Sequence, residues 1–533
     1  MKTVQFILIS LVVGIVSATI SHTALAQKDV KLAVHGAQTP GQLSCDISGN
    51  SVIIGAPIRD APHDDHAKIY IGNGKKWQEQ AKIIPRGAGN WFGWSVSISR
   101  NTVIVGAPKE DGVGDNSGSA YIFVRSGNDW KQQAKLVAED EAAADNFGET
   151  VSIDRNTAIV GAPKDDDAGK DSGSAYIFVR DGLEINAPWK QQAKLVPHDL
   201  GGNDGFGHAV FVRRDTAIVG ASGHTHSGVR FAGAAYVFVR EGKTWVEQTK
   251  LTAGDAGKAD RFGSSVAMSG DTIIVGSPSH DSEVKTDAGA AYVFVPDGNR
   301  WQQQAKLSAK DLGKVFKFGT SVTTTGNIAI VGAPGADDAG IGSGAAYSFV
   351  RVDGVWEERQ KVVLDEARAG VHFGLSVAMS ENTAVVASHA MAKCDDCGWN
   401  HGRGAAAYVY NTVEDFGTPP FAVEPSGLRV ITLGQVKHTA LFQNFPNPFN
   451  PETWLPYHLA TDAPVTFRIY NVQGQLMREL HLGMQKAGGY LSRETAPYWD
   501  GRGQFGETVS SGVYFYTLQA GAFQDTRRML IVK

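Results

Sequence analysis

Carboxylates gather behind a recurring proline in this chain. An aspartate stands three residues past that proline at Asp60, Asp111, Asp166, Asp281 and Asp337. Asp165, Asp167 and Asp171 crowd around one of them, and several carboxylates with loop carbonyls suit a hard cation such as calcium. The same placement suits Asx-turns that cap a strand end and hold a glycine-rich loop, and its recurrence favours that structural role. Cys394-Asp-Asp-Cys397 lies between His389 and His401, a set of ligand types that zinc accepts, although the spacing fits no known finger. His224 and His226 could share a metal, with a solvated loop as the default. Cys45 falls in an alternating apolar stretch and reads as a small buried hydrophobe. There is no G-x-S-x-G elbow, no H-E-x-x-H and no phosphate loop. No pair of acids is singled out for acid–base work. These residues point to binding without an enzymatic centre and with no required cofactor, with calcium as a possible ion.

The elements that must position these residues repeat. Phe92-Gly93, Asn101-Thr-Val-Ile-Val-Gly106-Ala107-Pro108, Ala120-Tyr121 and Trp130 to Lys135-Leu136 form one unit. Further units open at Phe147-Gly148, Phe206-Gly207, Phe262-Gly263, Phe318-Gly319 and Phe373-Gly374. A first unit lacks the Phe but keeps Gly55-Ala56-Pro57 and Trp77 to Lys82-Ile83. The period of about 55 residues suits a four-stranded propeller blade. Strand A alternates (Ser95-Val96-Ser97-Ile98), strand B is an apolar run (Thr102–Val105), strand C is Ala120–Val124 and strand D is Trp130–Leu136. Their β-branched and aromatic content fits strands. Small residues at Gly106-Ala107 are expected where blades converge, and Pro108 ends the strand. The Phe of Phe-Gly is expected to plug the space between blades, with the Trp of strand D in the same core.

The last unit stops after Tyr408-Val-Tyr410 without a strand D. Gln27-Lys28-Asp29-Val30-Lys31-Leu32-Ala33 matches the end of strand D, so residues 28–34 are expected to close blade seven and to remove its open edge. Before them, Lys2, an apolar run from Phe6 to Val16 and Ala24-Leu25-Ala26 have the layout of a secretory signal peptide spanning residues 1–26. Export would permit disulfides, which favours a local Cys394–Cys397 bridge over a metal site. No later segment is long and apolar enough to cross a bilayer. A formal net charge of -5 argues against nucleic acid as a partner.

Phe-Gly followed by Gly-Ala-Pro, in tandem, resembles the FG-GAP repeats of integrin α-chain propellers and of many bacterial surface proteins. The resemblance covers residues 27–411 and implies a seven-bladed β-propeller. One departure matters: the calcium loop common in such repeats between Phe-Gly and Gly-Ala-Pro has no room here, where Ser99-Arg100-Asn101 makes a tight turn. Calcium is therefore not carried over from the family. The loops after strand B share a rim with those before each Phe-Gly, which add Asp140, Asp145, Asp199, Asp204, Asp255 and Asp260. In integrin-like propellers this is the ligand-binding rim, which implies a cationic protein or a glycan bridged by calcium.

Residues 412–440 hold Pro419-Pro420 and Pro425-Ser426-Gly427 and read as a linker. Residues 441–533 contain short alternating strands at Val465–Tyr470, Gly512–Leu518 and Arg528–Val532, the pattern of a small immunoglobulin-like β-sandwich. Asn447-Pro448-Phe449, Trp499-Asp500-Gly501, Ser511-Gly512-Val513-Tyr514 and the terminal Met529–Lys533 resemble the C-terminal sorting domain of type IX secretion substrates. That resemblance implies engagement of the secretion machinery and delivery outside the cell, with attachment at the outer surface as one fate. The expected function is a secreted or surface adhesion propeller that binds an extracellular protein or glycan. A propeller-based carbohydrate-active enzyme and a structural surface-layer component are the alternatives.

Overall fold

The computed structural model describes residues 30–35, 43–57, 65–72, 76–86, 90–182, 187–298, 300–311, 315–364, 367–390, 404–412, 439–442, 444, 453–490, 496–504 and 507–531. The leader, Asp60, the Cys394–Cys397 pair, His401, Asn447–Phe449 and nearly all of residues 412–440 lie outside them. Every element among the described residues is a strand.

Up to Asn411 the strands form seven four-stranded antiparallel sheets, which fit a propeller. Sheet 1 comprises Cys45–Ser48, Ser51–Ala56, His66–Gly72 and Trp77–Ile83. Sheet 2 comprises Val96–Ser99, Thr102–Ala107, Ser119–Ser126 and Asp129–Leu136. Sheets 3 to 6 repeat the order and begin at Thr150, Phe206, Ser265 and Ser321. Sheet 7 comprises Ser376–Ser380, Thr383–Ala390, Gly404–Asn411 and, as its outer strand, Val30–His35. The register there runs from Val30 opposite Val409 to His35 opposite Gly404. The first strands of neighbouring sheets pack side by side from sheet 1 round to sheet 7 and back to sheet 1.

Strand B is buried along its whole length in sheets 2 and 3, which explains its unbroken apolar run. Strand D alternates and leaves one face in water. Phe147 is 1% exposed and stands edge-on to Tyr176 and Phe178. It shares a core with Ile104, Ile122 and Leu136 of sheet 2, so it seals the seam between sheets 2 and 3. Trp130 and Trp189 are half-buried against such seams, and each indole N–H donates to a glutamine on the preceding sheet, Gln80 at 3.0 Å and Gln133 at 2.9 Å.

The small residues of Gly-Ala-Pro have a more local cause than convergence on the axis. A Cβ on Gly106 would lie 2.0 Å from the carbonyl oxygen of Gly148, in the Phe-Gly of the next sheet. The Phe147 N–H donates to Ser117 O at 3.0 Å across the same seam. Gly-Ala-Pro and Phe-Gly are thus two halves of one inter-sheet contact.

The first strands are also wired to one another. Asp46 accepts the Ile98 N–H at 2.8 Å, Ser97 accepts that of Ile153 at 3.2 Å, and Ser152 accepts that of Val212 at 3.1 Å. The polar half of strand A therefore satisfies the edge of the neighbouring sheet. Cys45 occupies the slot of Val96, is 6% exposed, and burial pushes its thiol up to about 12.

The C-terminal strands form a four-stranded sheet in the order Leu476–Gln485, Ala463–Asn471, Gly512–Ala520, Phe523–Ile531. Smaller sheets join Ala440–Leu441, Tyr457–Leu459 and Gly488–Tyr490, and pair Thr453–Trp454 with Tyr498–Trp499. Their common core includes Leu455, Tyr457, Phe467, Trp499, Tyr516 and Met529. The Tyr516 hydroxyl donates to Phe442 O at 2.6 Å and accepts the Asn444 N–H at 2.7 Å.

Candidate ligand-binding rim

The loops after strand B fold on their own carboxylates. Asp111 Oδ1 accepts the Asn116 N–H at 2.8 Å, and Asp166 Oδ1 that of Asp171 at 2.7 Å. Asp281 and Asp337 hold the N–H groups of Asp287 and Gly342 at 2.8 and 2.9 Å. Each donor has a φ between 52° and 67°, so the carboxylate fixes a left-handed residue that lets the loop turn back. Four of the five expected aspartates therefore have the same loop-closing partner; Asp60 lies outside the described residues.

A second layer joins the two kinds of loop. Strand C carries a tyrosine directly opposite a lysine of strand D: Tyr121 and Lys135, Tyr176 and Lys194, Tyr236 and Lys250, Tyr292 and Lys306, Tyr347 and Lys361. Tyr408 and Lys31 take the same register in sheet 7. In sheets 3 to 6 the lysine reaches an aspartate from the loop that precedes its sheet, whereas Lys135 of sheet 2 pairs with Glu110 of its own sheet. Lys194 Nζ is 2.6 Å from Asp140, Lys250 2.8 Å from Asp199, Lys306 2.6 Å from Asp255, and Lys361 2.5 Å from Asp311. Partial burial alone would raise the pKa of these four carboxyls, but the ammonium and tyrosine hydroxyl beside each hold it below the usual carboxylate range.

The calcium candidate of sheet 3 falls inside this layer. Asp165 and Asp167 converge with Asp140, while Asp171 does not join them. The Lys194 ammonium sits among all three, 2.9 Å from Asp165 and in contact with Asp167. A cation of the chain's own already faces this carboxylate set.

In sheets 4 and 5 a histidine replaces the acid. His224 is buried rather than solvated, which corrects the default reading of its loop; His226 is half-exposed. The His224 Nδ1 stands 2.7 Å from Asp204 and its Nε2 2.7 Å from Lys250. His280 repeats the arrangement with Asp260 and Lys306, both at 2.7 Å. Sequence reading placed both Asp204 and Asp260 on the rim but did not see these couples. The signal was there: a histidine twenty residues after each aspartate, in two successive units. His389 is half-buried, and burial and the facing His372 lower its pKa.

Beyond this wiring, the loops present their tips to solvent. Ile341 is 83%, Val113 72% and Val284 71% exposed, the three most exposed large aliphatic side chains among the described residues. All three sit on loops between strands B and C, next to exposed acids such as Asp111, Asp281 and Asp338.

Repeated antiparallel sheets, with the Phe-Gly that opens each of sheets 2 to 7 sealed against a Gly-Ala or Gly-Ser of the preceding sheet, define an all-β, propeller-type repeat protein. The FG-GAP repeat model matches residues 77–123, 130–178, 189–238, 245–294, 301–349 and 356–410, more than half of the sequence, and the chain belongs to the FG-GAP repeat family. A search of curated proteins finds no match. Each matched repeat runs from strand D of one sheet to strand C of the next. Residues 30–72 have that same strand order, from Val30–His35 through the first three strands of sheet 1.

Proposed function

We propose that this chain is an exported binding or adhesion protein. Its seven sheets act as the blades of one propeller, with Val30–His35 as the outer strand of the seventh. The rim built from the loops after strand B and before strand A is the face offered to an extracellular protein partner. The C-terminal strands form an immunoglobulin-like sandwich that hands the chain to the secretion machinery, after removal of a leader at residues 1–26. The protein works by holding a partner, not by turning one over, and it needs no cofactor.

The exposed tips carry this reading. Val113, Val284 and Ile341 stand exposed on loops that are closed by the Asp111, Asp281 and Asp337 hydrogen bonds. Aliphatic tips ringed by carboxylates suit a protein surface that is part apolar and part cationic.

The test is an array of extracellular proteins and glycans probed with the intact chain and with V113S/V284S/I341S. The expected result is capture of a protein by the parent and at least a tenfold loss in the variant, with an unchanged melting temperature. Equal capture by both would remove the rim from the account. Depolymerisation of a glycan by the parent would favour the enzymatic alternative. Removal of residues 441–533 should leave the protein inside the producing cell; unaltered delivery would refute the sorting role.

A further inference from the structure

The face opposite the acidic rim carries the turns between strands A and B. In sheets 1 and 5 the turn is two residues long and its first residue is a glycine with positive φ: Gly49 at 58° and Gly270 at 56°. Glycine is the ordinary choice there because a Cβ is penalised in that conformation. Sheets 2, 3 and 4 place an arginine at the same position: Arg100 at 56°, Arg155 at 57° and Arg214 at 54°. Arginine thus takes this unfavourable position on three adjacent sheets, and Glu381 takes it on sheet 7 at 52°. Backbone strain of this kind tends to gather where a side chain is needed for function.

The three turns are held to one another. The Arg155 N–H donates to Ser99 Oγ at 3.0 Å, beside Arg100, and the Arg214 N–H donates to Asp154 Oδ2 at 2.7 Å, beside Arg155. The three side chains are exposed, and none of their guanidiniums has a hydrogen-bond or salt-bridge partner among the described residues. A fourth, Arg213, donates to Ser269 Oγ at 2.9 Å. Partial withdrawal from water lowers its pKa; Asp154 opposes that shift, and Arg214 and Arg155 close by add to it.

Behind the turns lies the bore of the ring, a cavity of about 370 Å³ lined by the first strands of all seven sheets. Its lining reaches Ser48, Ser99, Asp154 and Arg213, the residues that enter these turns, so the arginines stand at its mouth. The nearby acids are engaged. Asp46 accepts from Ile47, Ser97 and Ile98, Asp154 holds the Arg214 N–H, and Asp215 is drawn to Arg240 at 3.7 Å.

We propose that Arg100, Arg155 and Arg214 form an anion-recognition arc for the carboxylate or sulfate groups of an acidic polysaccharide. A guanidinium presents a planar fork that matches such oxyanions. A membrane plane laid over the mouth would also meet Asp271 and Glu381 on the turns of sheets 5 and 7. A single flexible chain can follow the arginine side alone. This site does not rest on the rim opposite.

The arginine-to-glycine change makes a sharp test, because it relieves the backbone while removing the charge. The full chain is titrated with polygalacturonate, with dextran sulfate and with neutral dextran, and with anionic vesicles as a further arm. The parent should bind at least one of the two charged glycans, more weakly as salt rises, and neither neutral dextran nor vesicles. R100G/R155G/R214G should bind at least tenfold more weakly and melt at the same or a higher temperature. The relative affinity for polygalacturonate and dextran sulfate then distinguishes carboxylate from sulfate recognition. Equal binding by parent and variant, absence of glycan binding by the parent at low salt, or a preference for vesicles would each overturn the site.

Discussion

The Nε2 of His224 lies 2.7 Å from the ammonium of Lys250, and its Nδ1 lies 2.7 Å from Asp204. A lysine at that distance can only donate, so Nε2 accepts and the ring proton sits on Nδ1, facing the carboxylate. One imidazole thus joins the loop before sheet 4 to the last strand of that sheet. His224→Ala leaves a buried carboxylate without this donor, and the expected loss is about 2–3 kcal/mol of unfolding free energy. Urea denaturation of the full chain measures it. A loss below about 0.5 kcal/mol would mean that the couple contributes little, as the buried Ala336 at the same position of sheet 6 shows an apolar side chain can be seated there.

Much of the repeat architecture was legible in the sequence because one contact recurs. Phe-Gly and Gly-Ala-Pro repeat together since each touches the other across a seam, so neither can drift alone. The partner of Gly106 was not legible, because Gly148 lies 42 positions on and only the sheet-to-sheet packing brings its carbonyl near. The rim was read through its charges, and several proved to be wiring. Asp111 and Asp166 bond their own loops, and Asp140 meets Lys194 of the following unit. The arginines of the A–B turns were legible only as turn residues; their φ values needed coordinates.

Gly106 and Gly127 offer a paired test of that seam. Alanine at Gly106 would press its Cβ against the Gly148 carbonyl, whereas Gly127 has φ 67° and open space around its missing Cβ. Gly127→Ala should cost about 1 kcal/mol through conformation alone. Gly106→Ala should cost several-fold more, because two backbones must separate. Thermal unfolding of both variants decides it, and equal melting temperatures would contradict the contact.

Asp46 sets a pH dependence with a definite sign. Burial in the bore raises its carboxyl to about 6, against the lowering from the Ile98, Ser97 and Ile47 donors. The native chain then binds more protons than the unfolded one between about pH 4 and pH 6, and stability falls as pH rises through that window, by up to about 3 kcal/mol. The lowered carboxyls of Asp140, Asp199, Asp255 and Asp311 act in the other direction, losing their contribution as pH drops below about 4. Asp145, whose carboxyl burial also raises to about 6, adds to the decline in the same window. Unfolding free energies at pH 4, 5, 6 and 7 should therefore decline for the parent and decline less steeply for Asp46→Asn. Parallel profiles would show that Asp46 does not titrate in this window.

The outer strand of sheet 7 comes from the other end of the propeller sequence. Leu32, 3% exposed, packs in a core with Val385, Ala407 and Ile54, the last from sheet 1. Leu32→Ala should cost about 2–3 kcal/mol. Deletion of residues 27–36 should lower the melting temperature sharply, and a synthetic peptide covering Val30–His35 should restore part of it when added in trans. An unchanged melting temperature after the deletion would show that this strand adds nothing to the closed ring.

Lys194 decides what calcium can do in sheet 3. Its ammonium sits among Asp140, Asp165 and Asp167, and their hydrogen bonds raise its pKa against the lowering that burial alone would give. A hard cation entering that set would have to displace a bonded ammonium. The parent chain should therefore show no calcium-dependent melting shift from this cluster. Lys194→Met leaves three converging carboxylates with no countercharge from that position, and should gain at least a tenfold calcium affinity over the parent. It should also melt lower than the parent in the absence of the ion, since a raised-pKa amine stabilises the fold at every pH below its unfolded value. Calorimetric titration of calcium into both proteins separates the outcomes. Tight binding by the parent, abolished by Asp167→Asn, would show instead that the ion outcompetes the lysine.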